Sequence, residues 1–337
     1  MKRQTGLVFI LLLFGAIHPL AAQPASARFE ISVDKYLMGT LVKATVRHDD
    51  IEAGKTALVK AFQEMERVEA LLSVQRASSE VSAINQNAGH RPVKVSGETF
   101  AIVQRAQSYA ERFDGLFDVT IGPVTALWGF NGNQQAVLPD PERLAERLKL
   151  VDYRKIVLNE TDTTVFLSTP GMQIDLGGIA KGYAIDRGVA VLRQQGLQQF
   201  LLNAGGDVYA SGQKDHRTDW LVGVKHPRAS NDLLARFNLR DVAAATSGDY
   251  ERYALIDGTR YHHIIDPRTG YPGTLSQSVT VLAGSAEEAD VWATYLFLTG
   301  PSSLQQAAPQ EIPYLIVDAE GQVQVSTSFR AALQLLD

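Results

Sequence analysis

Asp290 and Thr294 stand four residues apart among Ala289, Val291, Trp292, Ala293, Tyr295 and Leu296, so on a helix they share one face. A carboxylate in so apolar a helix is costly to bury alone. A hard cation bound by both side-chain oxygens would offset that cost. Magnesium suits the pair, because it takes one or two carboxylates and completes its shell with water and phosphate oxygens. The alternative is Asp290 on the solvent edge of an amphipathic helix. A second candidate is Ile174-Asp175-Leu176-Gly177-Gly178-Ile179-Ala180-Lys181-Gly182, where a strand-like run passes through glycines into a helix start. Glycines let backbone approach a ligand closely, and the free N–H groups of a first helical turn attract anions. Lys181 falls in that turn, beside the positive end of the helix dipole. A bound anion would repair the repulsion; otherwise the run is a tight turn with Lys181 in water. It lacks the Gly-Lys-Ser/Thr spacing of a Walker loop and the G-x-G-x-x-G of a dinucleotide fingerprint.

A third cluster is Thr246-Ser247-Gly248-Asp249-Tyr250, followed by His262-His263-Ile264-Ile265-Asp266-Pro267-Arg268-Thr269-Gly270. Either imidazole could serve as a base near neutral pH, or both could be ordinary strand residues beside a turn. Strand alternation puts His262 with Arg260 and Ile264, and His263 with Tyr261 and Ile265. Zinc is therefore disfavoured, since the two rings face opposite ways. Gly115-Leu116-Phe117-Asp118-Val119-Thr120-Ile121-Gly122-Pro123, leading to Leu127-Trp128-Gly129-Phe130, and Asn203-Ala204-Gly205-Gly206-Asp207 both read as strand-and-turn pieces. No nucleophile elbow with a Ser–His–Asp order is present.

The elements that must hold these residues follow from periodicity. Ile31 to Val46 reads as two strands broken at Met38-Gly39-Thr40, and Ala57 to Leu72 as a helix. Ser78 to His90 reads as a polar loop. Ser96 caps a helix over Phe100 to Phe113, and Asp140-Pro141 opens another. Short strands are expected at Lys155–Leu158, Val165–Leu167, Met172–Leu176, Phe200–Leu202 and Leu221–Val224, with a helix from Ala180 to Gln195 stopped by Gly196. Asp257-Gly258 joins Tyr250–Ile256 to Arg260–Ile265 as a hairpin. Ser285, with Glu288 three residues on, starts a capped helix that ends at Gly300-Pro301. Helices and strands mix without a strict βαβ alternation. The expected fold is α+β: a two-lobed single unit of mixed or antiparallel sheets with packed helices.

The chain has 337 residues, 45% of them hydrophobic and 20% charged, enough for a sizeable core and incompatible with a disordered chain. A net charge of −5 gives no basic field for nucleic acid. Cysteine is absent, which excludes thiolate metal sites, iron–sulfur clusters, disulfides, a cysteine nucleophile and lipid attachment through cysteine. Lys2 and Arg3 precede an apolar run from Gly6 to Ile17, and Ala25-Ser26-Ala27 offers a cleavage site, with Ala22 a second. Residues 1–27 are read as a secretory signal peptide. Its removal takes away two positive charges and shifts the net charge from −5 to −7. The expected location of residues 28–337 is the periplasm.

In sequence order, eight motifs resemble those of the ApbE-type FAD:protein FMN transferases: Met38-Gly39-Thr40; Ser79-Glu80-Val81-Ser82 with Asn85; Phe117-Asp118-Val119-Thr120 with Gly122-Pro123 and Leu127-Trp128-Gly129-Phe130; Asp175 to Gly182; Asn203 to Asp207; Thr246-Ser247-Gly248; His263 to Gly270; and Ala289-Asp290 with Thr294. The resemblance implies a magnesium-dependent enzyme that splits FAD between its phosphates. It would pass FMN to a threonine or serine hydroxyl of a partner protein and release AMP. It further implies metal ligation by the Ala180 carbonyl, Asp290 and Thr294. FAD contacts carry over to Met38, Leu116, Phe117, Asp118, Gly177, Lys181, Tyr183, Thr246 and Ile265. His263 matches the residue that assists proton removal, and Asp290 is the second catalytic position. By the same analogy the partners are exported or membrane flavoprotein subunits of electron transport, of the sodium-pumping quinone reductase or Rnf type. Water in place of the acceptor hydroxyl would make the chain an FAD pyrophosphatase, and loss of chemistry would leave a periplasmic flavin-binding protein. One departure stands out: the family often places an aromatic residue against the flavin ring two positions after Ser73, and here that residue is Gln75. The stacking lost is worth about 0.5–1.5 kcal/mol.

Overall fold

The computed structural model describes residues 28–130, 136–229, 231–301, 312–330 and 333–335. The expected signal segment, residues 1–27, lies outside the described residues. The first hairpin is β1 (Phe29–Leu37) and β2 (Thr40–His48). Between them Met38 and Gly39 take φ of 52° and 71°, the left-handed pair that lets a two-residue turn follow strand twist. Asp50 caps α1 (Ile51–Leu72) by accepting the amides of Glu52 and Ala53. Leu58, Phe62, Met65, Val68 and Leu72 form its buried stripe. Next come α2 (Glu80–Gln86), β3 (Val93–Lys94), α3 (Gly97–Arg112), α4 (Gly122–Trp128) and α5 (Pro141–Leu148). Ser96 and Asp140 cap α3 and α5, as the sequence predicts. The ribbon of β4 (Ile156–Asn159) and β5 (Thr164–Leu167) precedes α6 (Ala180–Gln194). The strands β6 (Phe200–Ala204), β7 (Asp207–Ser211), β8 (Trp220–Lys225), β9 (Leu233–Leu239) and β10 (Val242–Gly248) follow. The Asp257-Gly258 turn joins β11 (Tyr253–Ile256) to β12 (Thr259–His262). The described chain ends with β13 (Ser276–Ala283), α7 (Ala286–Thr299), β14 (Tyr314–Asp318), β15 (Val323–Val325), α8 (Thr327–Arg330) and β16 (Leu333–Leu335).

Eight strands form one sheet in the order β1-β2-β6-β7-β10-β13-β14-β15, each pair antiparallel. Two cores share it, because successive side chains point to opposite faces. Tyr209, Ala243, Ala245, Val279, Val281 and Ile316 face the helices, and belong to one core with α1, α6 and α7. Val208, Ala210, Ala244, Leu282, Leu315 and Val317 face the other way. They pack on Trp220, Val224, Ala235 and Phe237 of the small sheet β16-β9-β8. The α+β expectation holds. Among the described residues no helix is long and apolar enough to cross a membrane.

Three local readings are corrected. Residues 80–86, expected in a loop, form α2. Ser79 caps it through the Ser82 amide at 2.9 Å, and only Val81 and Ile84 supply an apolar face, too few to register as periodicity. The expected strand Met172–Leu176 is extended, with Met172, Ile174 and Leu176 buried, yet it joins no sheet. The Asn85 side chain takes both the N–H and the C=O of Ile174, at 2.7 and 2.9 Å, the groups that a strand neighbour would have paired. Finally, Gly122–Trp128 is a helix rather than a strand; Pro123 in its first turn was the signal.

Candidate functional site

Helices α6 and α7 hold each other by their N-termini. Asp186, on α6, accepts the amides of Ala286 and Glu287 at 2.8 and 2.9 Å. Asp290, on α7, accepts the amide of Gly182 at 3.1 Å. Each carboxylate thus satisfies first-turn N–H groups of the opposite helix. The approach is close enough that a β-carbon on Gly182 would lie 2.3 Å from the Ala286 carbonyl oxygen and 2.7 Å from Glu287 Cα. Both are backbone atoms and cannot swing aside. Gly182→Ala is therefore expected to cost about 1–3 kcal/mol, read as a lower denaturant midpoint, and to weaken any cation binding at Asp290.

This clasp places the glycine loop against α7 at the wall of a cavity of about 280 Å³. Met38, Leu116, Phe117, Asp118, Gly177, Lys181, Thr246, Ile265, His263, Asp290 and Thr294 all line it, so most of the residues singled out in the sequence converge. Two hairpin turns close one side. A β-carbon on Gly205, in the β6–β7 turn, would lie 2.4 Å from Thr40 Oγ1, so the Met38-Gly39 and Gly205-Gly206 turns abut. Ala180 opens α6 next to this wall. Tyr183 does not reach the cavity. Two residues beyond Lys181, it points about 200° around the helix. Its hydroxyl donates to Glu98 at 2.6 Å and Arg105 lies over its ring.

Lys181 is also placed differently from expectation. Its ammonium pairs with Asp207 at 2.5 Å, so the protein itself supplies the compensating anion. Burial pushes its pKa down, but Asp207 and Asp290 outweigh this and hold it above the usual lysine range. Asp207 is 1% exposed, and its other oxygen accepts the Thr246 amide at 3.1 Å. Asp290 is 5% exposed; burial raises its pKa, opposed by Lys181 and reinforced by Asp207. Two carboxylates share the nearest ammonium here, with the Arg252 guanidinium acting more weakly on Asp290. Asp118 lines the cavity with its carboxylate already committed to the Thr120 amide and hydroxyl and to the Tyr153 amide. These bonds fix the loop through which Leu116 and Phe117 reach the wall.

The two histidines separate. Burial lowers the pKa of His262, whose Nε2 lies 2.7 Å from the Gly273 carbonyl, while its Nδ1 accepts the Ile264 amide at 3.3 Å. It is a core residue packed edge-on to Phe297. His263 follows the last residue of β12 and lines the cavity. Its Nδ1 is 3.2 Å from the Arg252 carbonyl. A carbonyl only accepts, so Nδ1 carries the hydrogen and Nε2 keeps a lone pair. Burial, then the charges of Arg252 and His262, lower its pKa to about 3, which keeps the ring neutral. In the Asp-Pro-Arg turn beyond it, Arg268 is fixed on Asp266 and braces the turn.

Among the described residues no group of three or more His, Asp or Glu could hold a metal. A cation here would need fewer carboxylates and other oxygens. Asp290 and Thr294 supply a carboxylate and a hydroxyl one turn apart, with Thr294 Oγ1 3.3 Å from Ser247 Oγ. An all-oxygen set with one carboxylate fits magnesium that shares a ligand's phosphates. Gln75 lines a second cavity of about 380 Å³, which shares Thr125 and Asp175 with the first. Sequence reasoning named Asp207 only as part of a motif and missed Asp186 and Arg252, whose partners or neighbours are distant in the chain.

Fold and site together define an antiparallel α+β protein with an oxygen-rich cavity between two helix starts and two hairpin turns. The chain belongs to the ApbE family, whose model matches residues 38–316. It is 39% identical to an FAD:protein FMN transferase of Klebsiella pneumoniae over 274 residues, covering 80% of this chain and 82% of the relative. To one of Treponema pallidum it is 36% identical over 287 residues, covering 80% and 79%. Among solved structures, the ApbE protein of Thermotoga maritima superposes with a TM-score of 0.85 at 34% identity, covering 90% of this chain and 99% of that one. The flavin transferase ApbE of Vibrio cholerae gives 0.81 at 29% identity with the same coverages.

Proposed function

We propose that this chain is an FAD:protein FMN transferase working in the cavity at Asp290 and His263. The observation that carries the reading is the Gly182 N–H contact with Asp290. It joins the glycine loop to α7 at one cavity whose wall also bears His263. Magnesium held by Asp290, Thr294 and the Ala180 carbonyl would neutralise and orient the diphosphate of FAD. Gly177, Phe117, Met38, Thr246 and Ile265 would form the walls that position the dinucleotide. A threonine or serine hydroxyl of the acceptor attacks the FMN-side phosphorus. Its proton passes to Nε2 of His263, the bond to the bridging oxygen breaks, and AMP leaves with that oxygen. A hydroxyl is a weak nucleophile at its free pKa, so a neutral imidazole at the wall is the group the step needs.

The acceptor is proposed to be an exported or membrane flavoprotein subunit of electron transport, met in the periplasm after removal of the signal segment. Gln75 favours a second reaction. With a polar side chain where relatives often stack an aromatic one, water competes with the acceptor and FMN is released with AMP. Purified protein incubated with FAD, magnesium and an acceptor domain tests the reading. Covalently flavinylated acceptor plus AMP supports transfer; FMN plus AMP with unlabelled acceptor supports hydrolysis; unchanged FAD refutes both.

A further inference from the structure

Three arginines surround the turn from β10 to β12, and two of them are committed. Arg228 forms a fork on Asp249, at 2.8 Å to Oδ1 and 2.7 Å to Oδ2. Arg260 adds a bond to Oδ1 at 3.3 Å and lies over the Tyr253 ring at 4.3 Å. Asp249, itself buried, is thereby saturated by these two. Arg252 is the third. Its main chain is fixed, since its carbonyl accepts the His263 amide at 3.1 Å and faces His263 Nδ1 at 3.2 Å. Arg252 lines the cavity with His263, Lys181 and Asp290, and its charge acts on all three. Among the described residues no hydrogen bond or ion pair holds its guanidinium.

The charges of the cavity show what this free head could meet. Lys181, the other cation on the wall, is neutralised by Asp207. Asp290 and Glu251 add carboxylates to the same wall. A ligand with a diphosphate brings further negative charge, and Arg252 is the cation still available to it. A guanidinium suits that task because its planar fork matches two phosphate oxygens at once.

We propose, resting on the flavin-transfer reading, that Arg252 grips the non-bridging oxygens of the phosphate being transferred, on the side of the cavity where His263 stands. Charge on those oxygens redistributes as the bond to AMP breaks, so a fixed donor there acts mainly on the transition state. The test compares wild type, Arg252→Gln and Arg252→Lys. It uses FAD, magnesium and an acceptor domain, and measures AMP release, flavinylated acceptor and thermal unfolding. Arg252→Gln is expected to lower kcat about 100-fold, as for loss of one transition-state donor. Its KM for FAD changes far less. Lysine restores part of the rate, and the melting temperature changes little because, among the described residues, no hydrogen bond or ion pair holds the guanidinium. A glutamine variant with wild-type kcat overturns the proposal. So does a defect confined to the KM for the acceptor, which would assign Arg252 to protein docking. A wild-type protein that yields neither AMP nor labelled acceptor refutes the transferase reading, and the Arg252 assignment falls with it.

Discussion

Asp290→Asn leaves the protein folded and lowers magnesium-dependent release of AMP from FAD about 1,000-fold, the loss of roughly 4 kcal/mol of charge stabilisation. Asparagine keeps the shape of the side chain and an oxygen for the Gly182 amide, so the clasp between α6 and α7 survives. What disappears is the charge. In the wild type that charge is buried and lies near Asp207, with Lys181 as the main compensating cation and Arg252 a weaker one. Its removal leaves Lys181 and Asp207 as a balanced pair, and the variant is expected to melt at or above the wild-type temperature in the absence of metal. Magnesium raises the melting temperature of the wild type by binding its folded state, but not that of the variant. Full AMP release by Asp290→Asn at saturating magnesium would remove Asp290 from the metal site. Lower activity with higher stability marks a group kept for function at the expense of the fold.

Features set by neighbours in sequence were legible without coordinates. The Ser285 cap, the Asp257-Gly258 turn, the Met38-Gly39 break and the four-residue spacing of Asp290 and Thr294 are all local, and all stand in the structure. What escaped is set by partners far along the chain. Lys181 looked like a cation awaiting an anion because its partner Asp207 is 26 residues away, in the β6–β7 hairpin. The strand pattern at Met172–Leu176 is real as alternation, but pairing depends on Asn85, 89 residues earlier. Asp186 gave no signal as a helix interior residue, and its role appears only when α7, 100 residues later, presents two free amides to it. Tyr183 shows the converse: it stands just beyond the glycine motif, but helix geometry turns its side chain toward Glu98 and away from the cavity.

His263→Gln is expected to slow flavin transfer about 100- to 1,000-fold while FAD binding is retained, the range that general-base catalysis supplies. Glutamine can still donate toward the Arg252 carbonyl, so the loop keeps its hydrogen bond, but it has no lone pair able to take a proton. Equilibrium FAD binding and single-turnover transfer separate the two roles. Loss of binding with an unchanged transfer step would make His263 a binding residue. The same variant has a stability signature that needs no substrate. Burial, Arg252 and His262 hold the folded-state pKa at about 3, against an unfolded value near 6.5. Between those values the unfolded chain binds the proton that the folded ring refuses. Stability therefore rises with pH across the window and is lost as pH falls through it. Denaturant titrations from pH 7 to pH 4 should show the wild type losing stability faster than His263→Gln, because every other titrating group is common to both. Parallel pH curves would mean that the ring protonates as easily in the fold as in the open chain. The neutral base beside Arg252 would then have to be abandoned even if transfer were slow.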